Sequence, residues 1–122
     1  MRLIDVGPPD GSVAPRLRNT KAYSNGIQTY FTLSHCWGNP DEETKLKMST
    51  TKASLAIRMK YIDFDSLPKV FRDAIRVTRF FHIRWLWIDS LCIVQVGIIS
   101  EVLTNCAHIF RTQPTTGNFS LL

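Results

Sequence analysis

An α/β fold with a partly parallel sheet and crossover helices is predicted by three features of the sequence. Residues 85–88, Trp-Leu-Trp-Ile, are apolar at every position, the pattern of a strand covered on both faces. Residues 27–34 form a second run, β-branched and aromatic, of ordinary strand length. Between them lies a long stretch of helical periodicity, which two parallel strands need as their right-handed connection.

The elements follow in order. Residues 1–27 carry Pro8-Pro9, Gly11, Pro15 and Gly26, and read as a lead-in with small edge strands at residues 3–6 and around Leu17. The strand over 27–34 stops at His35-Cys36-Trp37-Gly38-Asn39-Pro40. Asp41-Glu42-Glu43 then reads as an acidic loop, and residues 50–60 as a short helix with a threonine near its cap. The clearest helix spans 66–81, where Ser66 can cap and Pro68 occupies a first-turn position at which a missing amide hydrogen costs little. Phe71, Ala74, Ile75, Thr78 and Phe81 recur at helical steps as one inward stripe. Lys69, Arg72, Arg76 and Arg79 make the opposite face, ordinarily a solvated one, with anion binding as the alternative. The strand at 85–88 is expected to be central, and Phe71, Trp85 and Trp87 are expected in the core because aromatic groups supply most of the buried area in a short chain.

Composition narrows the class of protein. The chain of 122 residues is 44% hydrophobic, 11% aromatic and 20% charged, which suits one folded domain. Its most apolar region, residues 85–99, is interrupted by Asp89, Ser90 and Gln95, so it falls short of the ~20 apolar residues of a membrane span. Asp5 interrupts the opening residues before any long apolar run, which argues against a secretion signal and for a cytoplasmic location. The formal charge of +5 favours anionic partners in general. The basic residues are scattered and not interleaved with aromatic ones, which argues against nucleic-acid binding. Three cysteines without a CxxC pair indicate neither a disulfide framework nor a structural metal site.

Ligands of open parallel sheets bind at the carboxyl ends of strands. The two ends here are followed by Ser34, His35, Cys36, Trp37 and Gly38, and by Asp89, Ser90, Cys92 and Gln95. A cysteine nucleophile with His35 as base fails on geometry, since consecutive residues at a strand end point to opposite sides, and nothing places His108 in its stead. A metal site from His35, Cys36, Asp89 and Cys92 has suitable atoms without a recognised spacing. The default reading makes Cys36 and Cys92 small hydrophobes, lets Trp37 and Trp85 close the core edge, and leaves Asp89 accepting hydrogen bonds from its own loop.

The motifs Thr32-Leu33-Ser34-His35-Cys36-Trp37-Gly38, Leu67-Pro68-Lys69-Val70-Phe71-Arg72-Asp73-Ala74-Ile75 and Leu86-Trp87-Ile88-Asp89-Ser90-Leu91-Cys92-Ile93-Val94-Gln95, in this order, closely resemble the signature blocks of fungal heterokaryon-incompatibility (HET) domains. The opening Arg2-Leu3-Ile4-Asp5-Val6 and the helix near residues 51–60 are also similar, so the resemblance covers residues 2–95 of a single partial domain, with 96–122 as a divergent or shortened tail. It implies a role in fungal non-self recognition, as an effector of programmed cell death acting through protein partners, with self-association as a further possibility and no cofactor. It also implies a TIR-like or flavodoxin-like fold, and some TIR domains cleave NAD with a glutamate. That analogy makes Asp89 and Glu101 the candidate acids in a crevice of Ser34, His35, Cys36, Trp37, Gly38, Trp87, Asp89, Ser90, Cys92 and Gln95. Set against the family pattern, about ten residues are missing after Gln95. The chain is therefore expected to be truncated or internally deleted, to lack the strands that complete the domain, and to have little or no catalytic activity. A nucleotide-hydrolysing effector and an inactive interaction fragment are the alternatives. His82 stands where the family commonly has Gly, at a left-handed helix end.

Overall fold

The computed structural model describes residues 1–23, 26–27, 29–34, 38–95, 109–112 and 119–121. Its strands are Arg2–Asp5 (β1), Arg16–Asn19 (β2), Phe31–Ser34 (β3), Trp85–Ile88 (β4), Ile109–Thr112 (β5) and Phe119–Leu121 (β6), in one sheet of order β2-β1-β4-β3-β5-β6. Its α-helices are Glu42–Met48 (α1), Leu55–Lys60 (α2), Lys69–Phe80 (α3) and Asp89–Cys92 (α4).

The predicted parallel pair is present: β3 runs beside β4 with Phe31 opposite Leu86 and Leu33 opposite Ile88, and α1, α2 and α3 lie in the crossover between them. The other pairings between these strands are antiparallel, so the partly parallel sheet that was expected is a mixed one. Chain economy accounts for it on one side. The Pro8-Pro9 and Gly11 turns return β2 beside β1 through a short connection, which only antiparallel neighbours allow. On the other side β5 pairs with β3 and β6 with β5, so the tail adds two strands where none was expected.

The lead-in reading of residues 1–27 is overturned by burial. Strand β1 sits between β2 and β4, and Leu3, Ile4, Val6 and Leu17 are all fully buried. Leu3-Ile4 is a short version of the doubly apolar pattern of β4; its brevity and the prolines after it disguised a central strand. Of these two strands β2 is the one at an edge, with Leu17 inward and Arg16 and Arg18 partly exposed.

Residues 41–43 are the start of a helix, not a loop. Asp41 caps α1, its Oδ1 accepting from the Thr44 amide at 2.7 Å, and Glu42 and Glu43 sit in the first turn, where the helix dipole favours them. Helix α2 begins at Leu55 because Thr50 is taken up by an extended bridge to Val94, leaving residues 51–54 as a turn. Helix α3 likewise starts late. Ser66 does not cap it but belongs to a tight turn, donating to the Asp63 carbonyl at 2.8 Å, and Pro68 holds the cap position.

Phe71, Ala74, Ile75 and Thr78 face inward as expected, whereas Phe81 is half exposed because the helix stops at Phe80; its ring still meets Phe31 edge-on at 5.9 Å. The stripe packs with Ile4, Leu17, Phe31, Leu33, Leu86, Ile88 and Leu91 in one cluster. Trp85 is buried, edge-on to Tyr23 at 5.0 Å, and Trp87 is partly buried against the cluster. On the outer face Lys69 and Arg76 both pair with Asp73. Arg79 instead turns back to the carbonyls of Val6 at 2.7 Å and Val13 at 3.3 Å, tethering the loop after β1.

Helix α3 ends in a Schellman motif: the Ile83 amide donates to Thr78 O and the His82 amide to Arg79 O. This puts His82 at φ 57°, a left-handed conformation that costs a side chain with a Cβ more than it costs glycine. His82→Gly is therefore expected to stabilise the fold by up to about 1 kcal/mol. The check is a higher urea midpoint at unchanged slope; a lower midpoint would show that the imidazole's contacts outweigh the strain.

Candidate functional site

Because β3 and β4 are parallel and Leu33 lies opposite Ile88, their carboxyl ends reach the same edge, bringing Ser34 beside the start of α4 at Asp89. The side chain of Asp89 bends onto its own turn, Oδ1 accepting from the Ser90 amide at 2.7 Å. Burial pushes this carboxyl above the usual aspartate value, and the backbone hydrogen bonds only partly offset it. A half-buried acid with raised proton affinity at a strand end is the kind of group that proton-transfer sites use.

The segment between α1 and α2 packs against α4, which the helix expected over 50–60 did not foresee. After α1 the chain enters the interior with Met48, Ser49 and Thr50 all buried. The Thr50 amide donates to Ser90 O at 2.9 Å, and Thr50 O accepts from the Gln95 amide at 2.7 Å, stitching residues 50 and 94 in parallel. Thr50 Oγ1 and Ser90 Oγ are both buried and have no hydrogen-bond partner among the described residues. Buried hydroxyls are rarely left so, and these two flank the same backbone contact. The signal available in the sequence was Asp41 with Thr44 three residues on, a cap that predicts α1 and so the inward turn behind it.

The predicted residues divide accordingly. Ser34 and Asp89 are neighbours at the strand ends, and Thr50 joins the backbones of Ser90 and Gln95. The Gln95 side chain is turned away, Nε2 donating to Ile93 O at 2.8 Å. Trp87 and Cys92 are packing groups. The Cys92 thiol lies 4.0 Å from Leu86 O, and burial pushes its pKa up to about 12, which disfavours the thiolate that a nucleophile needs. Gly38 is exposed at φ 63°. His35, Cys36, Trp37, Glu101 and His108 lie outside the described residues.

The architecture defines an α/β domain whose parallel strand pair is joined by a helical crossover and ends with Ser34 and Asp89 side by side. The chain belongs to the heterokaryon incompatibility protein (HET) family, whose sequence model matches residues 30–112, from the start of β3 through β5. No curated protein and no solved structure matches it.

Proposed function

We propose that this chain is a fungal non-self recognition module, acting in the cytoplasm as a cell-death effector through protein partners, the role that membership of its family implies. The observation that carries the proposal is the division of labour among the three signature blocks. The first and third contain the neighbouring parallel strands β3 and β4, ending at Ser34 and Asp89, while the second supplies Leu67, Phe71, Ala74 and Ile75 to the core that supports β4. No helix among the described residues is long and apolar enough to cross a membrane.

A second reading, nucleotide-directed chemistry of the TIR kind, is supported at one point, the raised carboxyl of Asp89 at the parallel pair. The likeness to TIR or flavodoxin folds rests on the family resemblance. Induced expression in a fungal host separates the two. Growth arrest by the chain as written, with no NAD loss in the purified protein, is the expected result. NAD turnover abolished by Asp89→Asn would replace it with the nucleotide reading, and an absence of arrest would overturn the effector role.

A further inference from the structure

The opposite ends of the strands carry a recess. A cleft of about 430 Å³ lies between the loop after β1 and the turn from α3 to β4. Strand β1 is antiparallel to β4, so its carboxyl end, Asp5, lies opposite Trp85, at the far end of the strands from Asp89. The floor is Asp5, 3% exposed, whose oxygens are already committed. Oδ1 accepts from the Gly7 amide at 3.1 Å and from Arg84 Nε at 3.0 Å, and Oδ2 accepts from Arg84 Nη2 at 2.8 Å. The carboxylate therefore acts as an anchor for the arginines and has little capacity left for a ligand.

One carboxylate faces two guanidinium groups, so the cleft keeps a net positive charge. Arg16 stands 3.8 Å from Oδ2, beyond hydrogen-bond reach, and about a third of its side chain is exposed. Arg84 is half exposed and is held against the Trp85 ring at 4.9 Å, with its two bonds to Asp5 using Nε and Nη2 and leaving Nη1 uncommitted among the described residues. The walls are apolar: Pro8, Pro9, Val13 and Ile83. They are fixed by the Arg79 tether and by Gly7, where φ is +77° and a Cβ would stand 2.8 Å from Val13 O. This is a preformed recess, of a size that suits a small molecule, with cationic donors over an apolar lining.

We propose that the cleft binds a small organic anion, a compound with one phosphate or carboxylate and an apolar body, the anionic group meeting Arg16 and the outer edge of Arg84. Guanidinium groups match such anions with paired donors, and an anchor that leaves one edge free preorganises them. The site lies at the other strand ends from Ser34 and Asp89.

The test is an amide-shift titration of the intact chain with phenyl phosphate, run beside inorganic phosphate and benzyl alcohol. Saturable shifts confined to residues 7–16 and 82–84 are expected with phenyl phosphate, weaker ones with phosphate, and none of that pattern with benzyl alcohol. Arg16→Gln should weaken phenyl phosphate binding about tenfold or more, the loss of a charged hydrogen-bonding partner. Val13→Asp, an exposed loop substitution that leaves the core intact, should do the same by repulsion. Absence of saturable shifts, equal response to benzyl alcohol, shifts centred on Ser34 and Asp89, or binding unchanged in Val13→Asp would overturn the proposal.

Discussion

Phe71→Ala is expected to lower the stability of the fold by about 3–5 kcal/mol, the range for removing a buried phenyl ring. The ring is fully buried near the start of α3. It belongs to the cluster that joins α3 to β1, β3 and β4, so the space it leaves is bounded by strands that cannot move in without breaking their own pairing. A domain of this size has ~5–15 kcal/mol in total, so the loss is a large share of the whole. At roughly 4 °C per kcal/mol the melting temperature should fall by roughly 12–20 °C. Phe80→Ala is the matched control. That residue is 76% exposed at the end of the same helix, and its truncation should stay within about 0.5 kcal/mol. Equal melting curves for the two variants would show that the inward face of α3 has been misassigned. The position of Asp89 should suffer with the core, since α3 packs on β4, the strand that leads into it.

The contrast between these two phenylalanines also marks what the sequence made legible. The stripe from Phe71 to Thr78 and the doubly apolar run at 85–88 report burial directly, because their period is the period of the element. The parallel pairing of β3 and β4 follows from them, and with it the meeting of Ser34 and Asp89. Most of what stayed hidden depends on contacts distant in sequence. Leu3-Ile4 is too short to display a period, and its central place is decided by pairing with β2 and β4. Thr50 carries a helix-like context, yet it is drawn into an extended bridge by Val94, far along the chain. Ser66 is a good capping residue by type, but the Asp63 carbonyl takes its hydroxyl and Pro68 opens the helix instead. At β1 and Thr50 tertiary pairing outweighed a local preference, and at Ser66 a competing local turn did, each preference being worth about 1 kcal/mol. The arginines followed the same rule: the helical wheel placed Arg79 in solvent, and the carbonyls of Val6 and Val13 recruited it.

The second large effect is expected at Asp5, and its signature is in the pH dependence. Asp5 is 3% exposed and holds Arg84 through two hydrogen bonds, with Arg16 close by. Asp5→Asn removes the charge but keeps the shape, leaving an amide against a guanidinium. Breaking a buried pair costs about 3–5 kcal/mol, and about 3 is expected here because both arginine side chains are partly exposed and can return to water. Burial by itself would raise the Asp5 carboxyl. The hydrogen bonds from Arg84 and the Gly7 amide, with the charges of Arg84 and Arg16, outweigh it and hold the group below its ordinary value of 3.8. A carboxyl depressed on folding contributes stability that is complete above the unfolded value and is lost as pH falls through the folded one. The difference between wild type and Asp5→Asn should therefore be constant from neutral pH down to about 4 and shrink below it. Asp89 works in the opposite sense: its carboxyl is raised by burial, so acid relieves a cost there. Asp10, Asp41 and Asp73 are also depressed by their hydrogen-bond partners, but they titrate in both proteins and cancel in the difference. Urea unfolding of both proteins across this range decides the matter. A gap that persists unchanged into strong acid would mean that Asp5 acts through its shape and neutral hydrogen bonds, and the ion-pair account would fail.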